Sequence, residues 1–417
     1  MKPVNISNFK LGIDNRSAET NIPKGCARDI SNVMTTNAGG IRRRDGTTLL
    51  AAGAGAYGLW SPRNQAFALY AVQDKLKRID IDAQGNPAFS TVQTGLAQTG
   101  AISYCELANQ IFFTNGQDLQ VYSPTGVTQV GVENPPGSPV LAAGLGSFQP
   151  GMYNCAYSFL DAQGMESAVS PSTPITLTVS GGIVFTLPRA STNVQQIRLY
   201  MTPINGDVLY LMAQVPNGLI SYTLGDGTPG KQASTQYLTR MPAGSIVRMY
   251  KGRLITVAGD TLWFSEPYNY GLTSLRHNFI RFGGTVEMVE VVEAGVFVGA
   301  NDRVYLLAGT GPTDFTQSIV STNMPFFGTS CLINAANLPK ELVGDSDAPE
   351  VLWLGALGYS VGFVSGSVKD IQEDRILLPD YDSGSTITYI KNGISQALSV
   401  VHSTQSNLDL TAFDSIN

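Results

Sequence analysis

The sequence predicts an all-β protein: a β-propeller-like core of about five to six blades that carries an inserted immunoglobulin-like β-sandwich. Three observations lead to this prediction. Charged residues make up only 14% of the 417, whereas 44 glycines and 22 prolines supply turns; helix surfaces favour Lys and Glu, and strands and turns favour Thr, Asn and Gly. A hairpin pattern recurs along the chain at a fixed spacing. That spacing is interrupted once, by about the length of one domain.

The recurring pattern is a β-rich run, a tight turn and a second β-rich run with aromatic or large aliphatic residues. Clear copies cover 67–79, 111–122, 254–265 and 296–307, and a looser copy covers 351–361. The turn residues accept the positive φ that hairpins need; they are Asp74, Asn115, Asp260 and Asn301. The pattern therefore predicts antiparallel hairpins at these places.

The spacing of the turns indicates the architecture. Asp74 and Asn115 are 41 residues apart, and so are Asp260 and Asn301. A period of about 40–45 residues with four short strands is typical of propeller blades. From Asn115 to Asp260 the distance is 145 residues, which is one period plus about 100 residues, the size of a sandwich domain. A series of unrelated hairpins is the alternative interpretation.

The inserted segment has a pattern of its own. It begins with the proline-rich linker 134–139 and contains six short β-rich runs, at 152–160, 174–179, 183–187, 196–202, 207–215 and 221–224. These runs predict six or seven strands. Alternation in the first run puts Tyr153, Cys155, Tyr157 and Phe159 on one, core-facing side. We interpret the glycine-rich residues 144–149 and the Gly181–Gly182 pair as turns. The predicted domains are an N-terminal arm (1–50), the first part of the propeller (51–132), the sandwich (133–232) and the second part of the propeller (233–417).

Composition argues against several classes of function. A net charge of −6 is unlike that of a basic nucleic-acid-reading domain. The chain has only two histidines, His277 and His402, and its four cysteines (Cys26, Cys105, Cys155 and Cys331) lack metal-ligand spacing. We expect reduced thiols, no metal, no cofactor and no enzymatic activity. There is neither a signal peptide nor a stretch of about 18 apolar residues, so we expect synthesis in a cytoplasm and no membrane insertion.

Two alternatives give the chain a role with carbohydrate. A carbohydrate-active propeller would use acids such as Glu266, Glu350 or Asp380, because glycosidases need two carboxyl groups at a defined separation. The pairs Glu373–Asp374 and Asp380–Asp382 are also candidates, whereas the acidic run 345–350 is expected to be a solvated loop rather than a calcium site. A carbohydrate- or receptor-binding module would use Trp60, Trp263 and Trp353 as stacking platforms, although core packing explains these tryptophans better.

Three adjacent arginines, Arg42, Arg43 and Arg44, stand out in a chain with so few charges. In an extended stretch Arg42 and Arg44 point to one side and Arg43 to the other. We expect one side to meet carboxylates of the same subunit and the other to reach a neighbouring subunit. Solvated arginines are the alternative.

The arginines also lie in a segment that carries a family resemblance. Residues 29–47 (DISNVMTTNAGGIRRRDGT) resemble the N-terminal segment of phage tail hub or nozzle proteins of the tail-completion family. Further similarity lies in 262–269 (LWFSEPYN), 278–284 (NFIRFGG) and 304–312 (VYLLAGTGP). Within the insertion, 162–167 (AQGMES) and 197–202 (IRLYMT) resemble the fibronectin-like modules of such proteins.

The resemblance implies a non-enzymatic virion protein in the tail of a short-tailed bacteriophage. Its expected form is a homo-oligomeric ring, a hexamer, below the portal and adaptor and in contact with other tail proteins. The genome would pass through this ring during ejection and make only transient, non-specific contact with it. The arm that contains Arg42–Arg44 would precede the propeller and help to tie it together.

Overall fold

In a computed structural model, the protein is all-β throughout the residues that the structure describes: 9, 11–35, 40–44, 46, 55–63, 66–334, 338, 348–391 and 394–403. The chain forms two compact units. Unit 1 comprises Met1–Ala54 and Phe282–Asn417, and unit 2 comprises Gly55–Arg281. Within the described ranges the single helical element is a 3₁₀ turn at Glu19–Asn21. The low charge and high turn content therefore predicted the fold class correctly.

The N-terminal part of unit 1 consists of two small sheets. β1 (Gly12–Ile13) pairs in parallel with β2 (Cys26–Ala27). β3 (Val33–Thr35) and β4 (Ile41–Arg43) form an antiparallel ladder. We refer to residues 33–35 and 41–44 as the arginine hairpin.

Unit 2 begins with two four-stranded antiparallel sheets, each paired in chain order. Blade A consists of β5 (Ala56–Trp60), β6 (Phe67–Val72), β7 (Lys75–Ile81) and β8 (Pro87–Gln93). Blade B consists of β9 (Ser103–Leu107), β10 (Gln110–Thr114), β11 (Leu119–Ser123) and β12 (Gly126–Gln129). The two blades share a core that includes Leu69, Leu76, Ile111 and Phe113.

The sandwich follows blade B and has seven strands in two sheets, within the six or seven that the sequence predicts. The strands are β13 (Val140–Phe148), β14 (Gly151–Asp161), β15 (Thr173–Leu177), β16 (Gly181–Thr186), β17 (Val194–Met201), β18 (Tyr210–Pro216) and β19 (Ser221–Leu224). One sheet has the order β13-β16-β19 and the other β15-β14-β17-β18. Every buried member of its core lies between Val132 and Leu224.

Two details of the predicted sandwich were wrong. Residues 144–148 belong to β13 and the Gly181–Gly182 pair opens β16, so neither is a turn. The reason is backbone proximity: a Cβ on Gly146 would lie 2.3 Å from the Gly225 oxygen, and one on Gly182 would lie 2.3 Å from the Leu145 oxygen. These glycines allow the backbones of β13, β16 and β19 to come close together at the β-bulge in β13. They are needed for this close backbone approach and not for a turn.

The predicted core face of β14 is confirmed, but its other face is covered too. Tyr153, Cys155, Tyr157 and Phe159 are all buried. Ala156, on the opposite face, packs with Tyr200, Leu209 and Ala233 in a second cluster. Residues after the sandwich therefore return across this face. Strict alternation missed this because it assumes one solvated face.

After the sandwich, unit 2 adds a third blade. β20 (Leu238–Arg240) pairs with β24 (Leu272–Ser274). Blade C consists of β21 (Val247–Tyr250), β22 (Arg253–Ala258), β23 (Thr261–Phe264) and β25 (Phe279–Arg281). In sequence, β24 lies between β23 and β25. Blade C packs directly on blade B. The Thr114 hydroxyl donates to the Gly244 carbonyl at 2.6 Å, and the Val247 N–H donates to Ser103 Oγ at 3.1 Å.

The second part of unit 1 contains two more four-stranded sheets and a final hairpin. Blade D consists of β26 (Val286–Val292), β27 (Gly295–Ala300), β28 (Arg303–Ala308) and β29 (Thr316–Ser321). Blade E consists of β30 (Cys331–Asn334), β31 (Pro349–Gly355), β32 (Gly358–Gly362) and β33 (Val368–Asp370). β34 (Ser383–Lys391) and β35 (Ile394–His402) form the last hairpin. The described residues thus form five blade sheets, within the predicted five to six.

The hairpin turns lie where the repeat placed them. Asn301 and Asp302, with φ of 53° and 56°, connect β27 to β28. At the other turns the positive φ falls on a neighbour of the marked residue: Gln73, Gly116 and Gly259. The looser fifth copy forms β31 and β32 with Gly358 at the turn.

We predict that Gly146→Ala destabilises the sandwich by about 1–3 kcal/mol, because the added methyl would displace the Gly225 backbone. Gly137→Ala is the matched control, since nothing lies within 4 Å of its Cβ position. Urea unfolding of the two variants would test this. Equal midpoints would show that the bulge relaxes to accept a side chain.

We also predict that residues 131–241 fold in isolation, because the sandwich core draws on no residue outside that range. A dispersed amide NMR spectrum and cooperative melting are expected. The shorter range 133–232, which the sequence suggested, omits Ala233 and Thr235 and should melt at a lower temperature, since Ala233 covers Ala156 and the Thr235 carbonyl accepts from the Val169 N–H. An undispersed spectrum for the longer polypeptide would contradict the prediction.

Candidate interaction surfaces

The arginine hairpin presents two of its three arginines to solvent. Arg43 lies opposite Val33 in the β3–β4 ladder, and the Arg44 N–H donates to the Asn32 carbonyl at 3.1 Å. Arg43 and Arg44 are exposed, whereas Arg42 is half-buried. Ile41, on the same side of β4 as Arg43, is 43% exposed. The exposed basic pair is therefore Arg43 and Arg44, and an aliphatic side chain accompanies it.

The N-terminal arm is bonded to the segment that follows blade E in unit 1. The Asn15 side chain donates to the Leu377 carbonyl at 2.9 Å and accepts from the Leu377 N–H at 2.8 Å. The Arg375 guanidinium donates to the Leu11 carbonyl at 3.2 Å. The Arg16 guanidinium donates to the Glu373 carbonyl. We call these contacts between residues 11–16 and 373–377 the arm latch.

Asp14 supports the arm latch from within the arm. Its Oδ1 accepts from the Ser17 N–H at 2.9 Å. This hydrogen bond, with a smaller contribution from the charge of Arg375, lowers the pKa of the Asp14 carboxyl. The ionised form therefore holds the turn at Asp14–Ser17 that presents Asn15 to Leu377.

The acids proposed for carbohydrate chemistry have different surroundings. Glu266 lies in unit 2 and accepts from Asn278 Nδ2 at 2.7 Å. In unit 1, Glu350 is 1% exposed within β31 and accepts from the Val364 N–H at 2.6 Å, and its burial raises its pKa. Asp380 is exposed. Residues 345 and 347 of the acidic run lie outside the described residues. Among the described residues, no three His, Cys, Asp or Glu side chains are grouped as metal ligands.

Sequence reasoning missed a second buried carboxyl group, that of Glu290 in β26. Glu290 is 2% exposed and accepts from Ser330 Oγ at 2.7 Å. Burial, reinforced by the Glu290 charge, raises the pKa of the Cys331 thiol to about 12. No sequence signal distinguished this glutamate from a solvated one, because the same strand (VEMVEVV) carries Glu287, which is only half-buried.

The tryptophans are packing residues, as the sequence favoured. Trp353 is completely buried, donates from Nε1 to the Asn323 carbonyl at 2.9 Å and packs near Phe297. Trp60 stacks on Tyr104 with ring centroids 5.1 Å apart, and Trp263 packs on Phe279. Trp353 is therefore closed to any ligand.

All four cysteines are thiols, and burial raises the pKa of Cys155 to about 12.

One end of the sandwich carries a group of exposed apolar side chains that the sequence analysis did not identify. Three connections form this end, which we call the tip: residues 145–152, 178–180 and 203–208. The exposed fractions are 91% for Leu145, 71% for Val179, 44% for Met152, 40% for Ile204 and 38% for Val208. Two of these side chains lie in segments interpreted as turns or loops, where hydrophobic periodicity gives no signal.

No known family matches this sequence, and no curated protein does. The solved structures to which the chain is similar include the Pan2 WD40 domain of Neurospora crassa, with 7% identity, 76% of each chain covered and a TM-score of 0.31. Another is the AfRom2 CNH domain, with 8% identity, 84% of this chain and 97% of that chain covered, and a TM-score of 0.28. The N-terminal domain of Nup159 shows 9% identity, coverage of 82% and 73%, and a TM-score of 0.31. Likenesses this distant carry no inference about function.

We predict that Asn15→Ala destabilises unit 1 by about 0.5–1.5 kcal/mol, because it removes both exposed hydrogen bonds between the Asn15 side chain and the Leu377 backbone. Asn15→Asp should cost less at neutral pH, since a carboxylate oxygen still accepts from Leu377. Asn21→Ala is the control: Asn21 is exposed and its side chain is bonded only to Thr20. Thermal unfolding of the three variants would measure the effects. Identical melting for Asn15→Ala and Asn21→Ala would contradict a stabilising latch.

Proposed function

We propose that the protein is a structural component of a bacteriophage tail, a nozzle- or hub-type ring through which the genome passes. Its partners would be identical subunits in a hexameric ring, the portal and adaptor above it, and other tail proteins. It would be synthesised in the host cytoplasm and function in the virion. The proposal combines the resemblance of residues 29–47 with the chemistry of the surfaces described above.

The observation that carries the proposal is the exposed apolar tip of the sandwich. Exposed apolar groups that lie together mark surfaces that associate with other molecules. The buried carboxyl groups of Glu290 and Glu350 have hydrogen-bond partners within the chain. The apolar side chains of the tip are exposed to water, and a partner molecule would bury them. Permanent assembly covers such a surface, which is what a virion protein needs.

The architecture suits a ring wall. Four-stranded meanders that pack face to face leave few open sheet edges, so rigid surfaces are available for contact with neighbours. Subunits that use two different surfaces for head-to-tail contacts close into a ring when the rotation allows. A net charge of −6 disfavours tight binding of DNA, because negative charge on the protein repels the phosphates. Weak binding suits a channel through which DNA must pass.

The carbohydrate alternative has less support from the described residues. A glycosidase needs two carboxyl groups beside one substrate. Glu350 is buried against its own backbone partner, and Asp380 is exposed. Trp353 is inaccessible as a stacking platform.

Among the described residues, no helix is long and apolar enough to cross a membrane.

Light scattering and electron microscopy of the purified protein test the proposal, with and without the portal and adaptor of the same phage. We expect closed rings of six subunits, either alone or on the adaptor. Rings should also bind double-stranded DNA weakly, with affinity that falls as salt rises. A protein that stays monomeric alone and on the assembled portal and adaptor would overturn the proposal. Reproducible polysaccharide cleavage that is lost on replacing one acid would support the alternative.

A further inference from the structure

The tip is a continuous end of the sandwich rather than a scatter of exposed residues. The Asn205 N–H donates to the Met152 carbonyl at 2.8 Å, and Asn205 Oδ1 accepts from the Met152 N–H at 3.2 Å. The Ile204 side chain lies against Gly151, where an added Cβ would be 2.5 Å from Ile204 Cγ1. These contacts join the connections 145–152 and 203–208.

The third connection and the last strand meet at the same end. Gly151 pairs with Leu177, immediately before 178–180, and Phe148 pairs with Gly181, immediately after it. The Ser147 N–H donates to the Gly225 carbonyl at 2.7 Å. Asp226 follows Gly225 directly, so it lies at the edge of the tip.

The charged residues of the tip and its edge are Asp207 and Asp226; the exposed Lys231 lies farther along the same segment, where its carbonyl accepts from the Leu211 N–H at 2.9 Å. No Lys, Arg, Asp or Glu occurs in 140–160 or 172–188, and Asp207 is the only charged residue of 199–212. Asp207 and Asp226 are both exposed. Within the part of the chain that the structure describes, neither aspartate forms an ion pair. The tip thus pairs exposed aliphatic groups with two carboxylates.

The arginine hairpin has the complementary chemistry. Arg43 and Arg44 are exposed and Ile41 is 43% exposed. Like the two aspartates, Arg43 and Arg44 make no ion pair with any described residue. Arg43 shares its side of β4 with Ile41, and the exposed Arg44 follows it directly in sequence. Two arginines with a neighbouring aliphatic side chain complement two aspartates at an aliphatic patch, and guanidinium groups bind carboxylates in a planar, two-pronged geometry.

We propose that the arginine hairpin of one copy docks on the tip of the neighbouring copy's sandwich. The inference rests on the proposed ring, for which it names both sides of the subunit contact. Arg43 and Arg44 pair with Asp207 and Asp226 of the neighbour, while Ile41 and the aliphatic tip exclude water around the ion pairs. Each copy offers one surface of each kind, which is the arrangement that a closed head-to-tail ring requires.

A charge-swap experiment tests the contact. R43E/R44E and D207K/D226K should each lower the association constant of the ring at least tenfold, because like charges would then face each other. All four substitutions in one chain should restore rings. An equimolar mixture of the two double variants should also form rings, of alternating composition, because each junction then joins opposite charges.

The apolar part of the contact has its own variant and control. Leu145→Ser with Val179→Ser should weaken the ring at least tenfold without lowering the melting temperature of the monomer, since both side chains are exposed. Ile220→Ser is the control: Ile220 is 80% exposed but lies beside Leu187 at the opposite end of the sandwich. It should leave assembly unchanged.

The outcomes separate this contact from the proposed function. If the wild type forms rings and neither charge reversal weakens them, the contact is wrong and the ring proposal stands. Rings that persist in all tip variants, with attachment to another tail protein lost instead, would assign the tip to that other protein and overturn the inference. A wild type that forms no ring in any setting overturns both. Circular dichroism of each variant confirms that a loss of rings is not a loss of folding.

Discussion

The constraint on which this structure depends is that the second strands of blades B to E are buried on both faces. All six residues of β27 are buried, as are six of the seven residues of β31. Blade D supplies Phe297 and blade E supplies Trp353 to one shared core, and blades A and B do the same with Leu69 and Phe113. Strands buried on both faces carry continuous apolar runs with few charges. The low charge of the whole sequence follows from this requirement.

The same constraint explains how the chain tolerates an insertion of domain size. Blades B and C remain in direct contact through Thr114 and Gly244, whose atoms are joined by hydrogen bonds in both directions, at 2.6 and 3.2 Å. The main core of the sandwich draws only on residues between Val132 and Leu224. Its polar interior is also internally satisfied: Glu166 accepts from Ser158, Arg198 and Tyr200. The insertion therefore adds a surface without disturbing the packing of the sheets around it.

The sequence could predict the parts of the fold that depend on periodicity and turn chemistry. Alternation placed Cys155 in the core, and Asn301 marked a hairpin turn, because these signals are local. It could not predict that Gly146 and Gly182 lie within strands, since their role is set by strands distant in sequence. The arm latch was hidden for the same reason: Asn15 and Leu377 are 362 residues apart. Of the candidate site, the sequence identified the arginines but not the tip, because exposure of Leu145 and Val179 depends on how three connections meet.

The proposed association uses exposed surfaces, and the buried carboxyl groups take no part in it. The buried carboxyl groups of Glu290 and Glu350 each accept a hydrogen bond, so they are held in place by the fold. Catalytic acids need instead to reach a substrate. Two exposed surfaces have complementary chemistry, the aliphatic and acidic tip and the basic arginine hairpin. Because Leu145, Val179, Arg43 and Arg44 are exposed, substitutions of these side chains should be tolerated by folding, so that their effect on association can be measured separately.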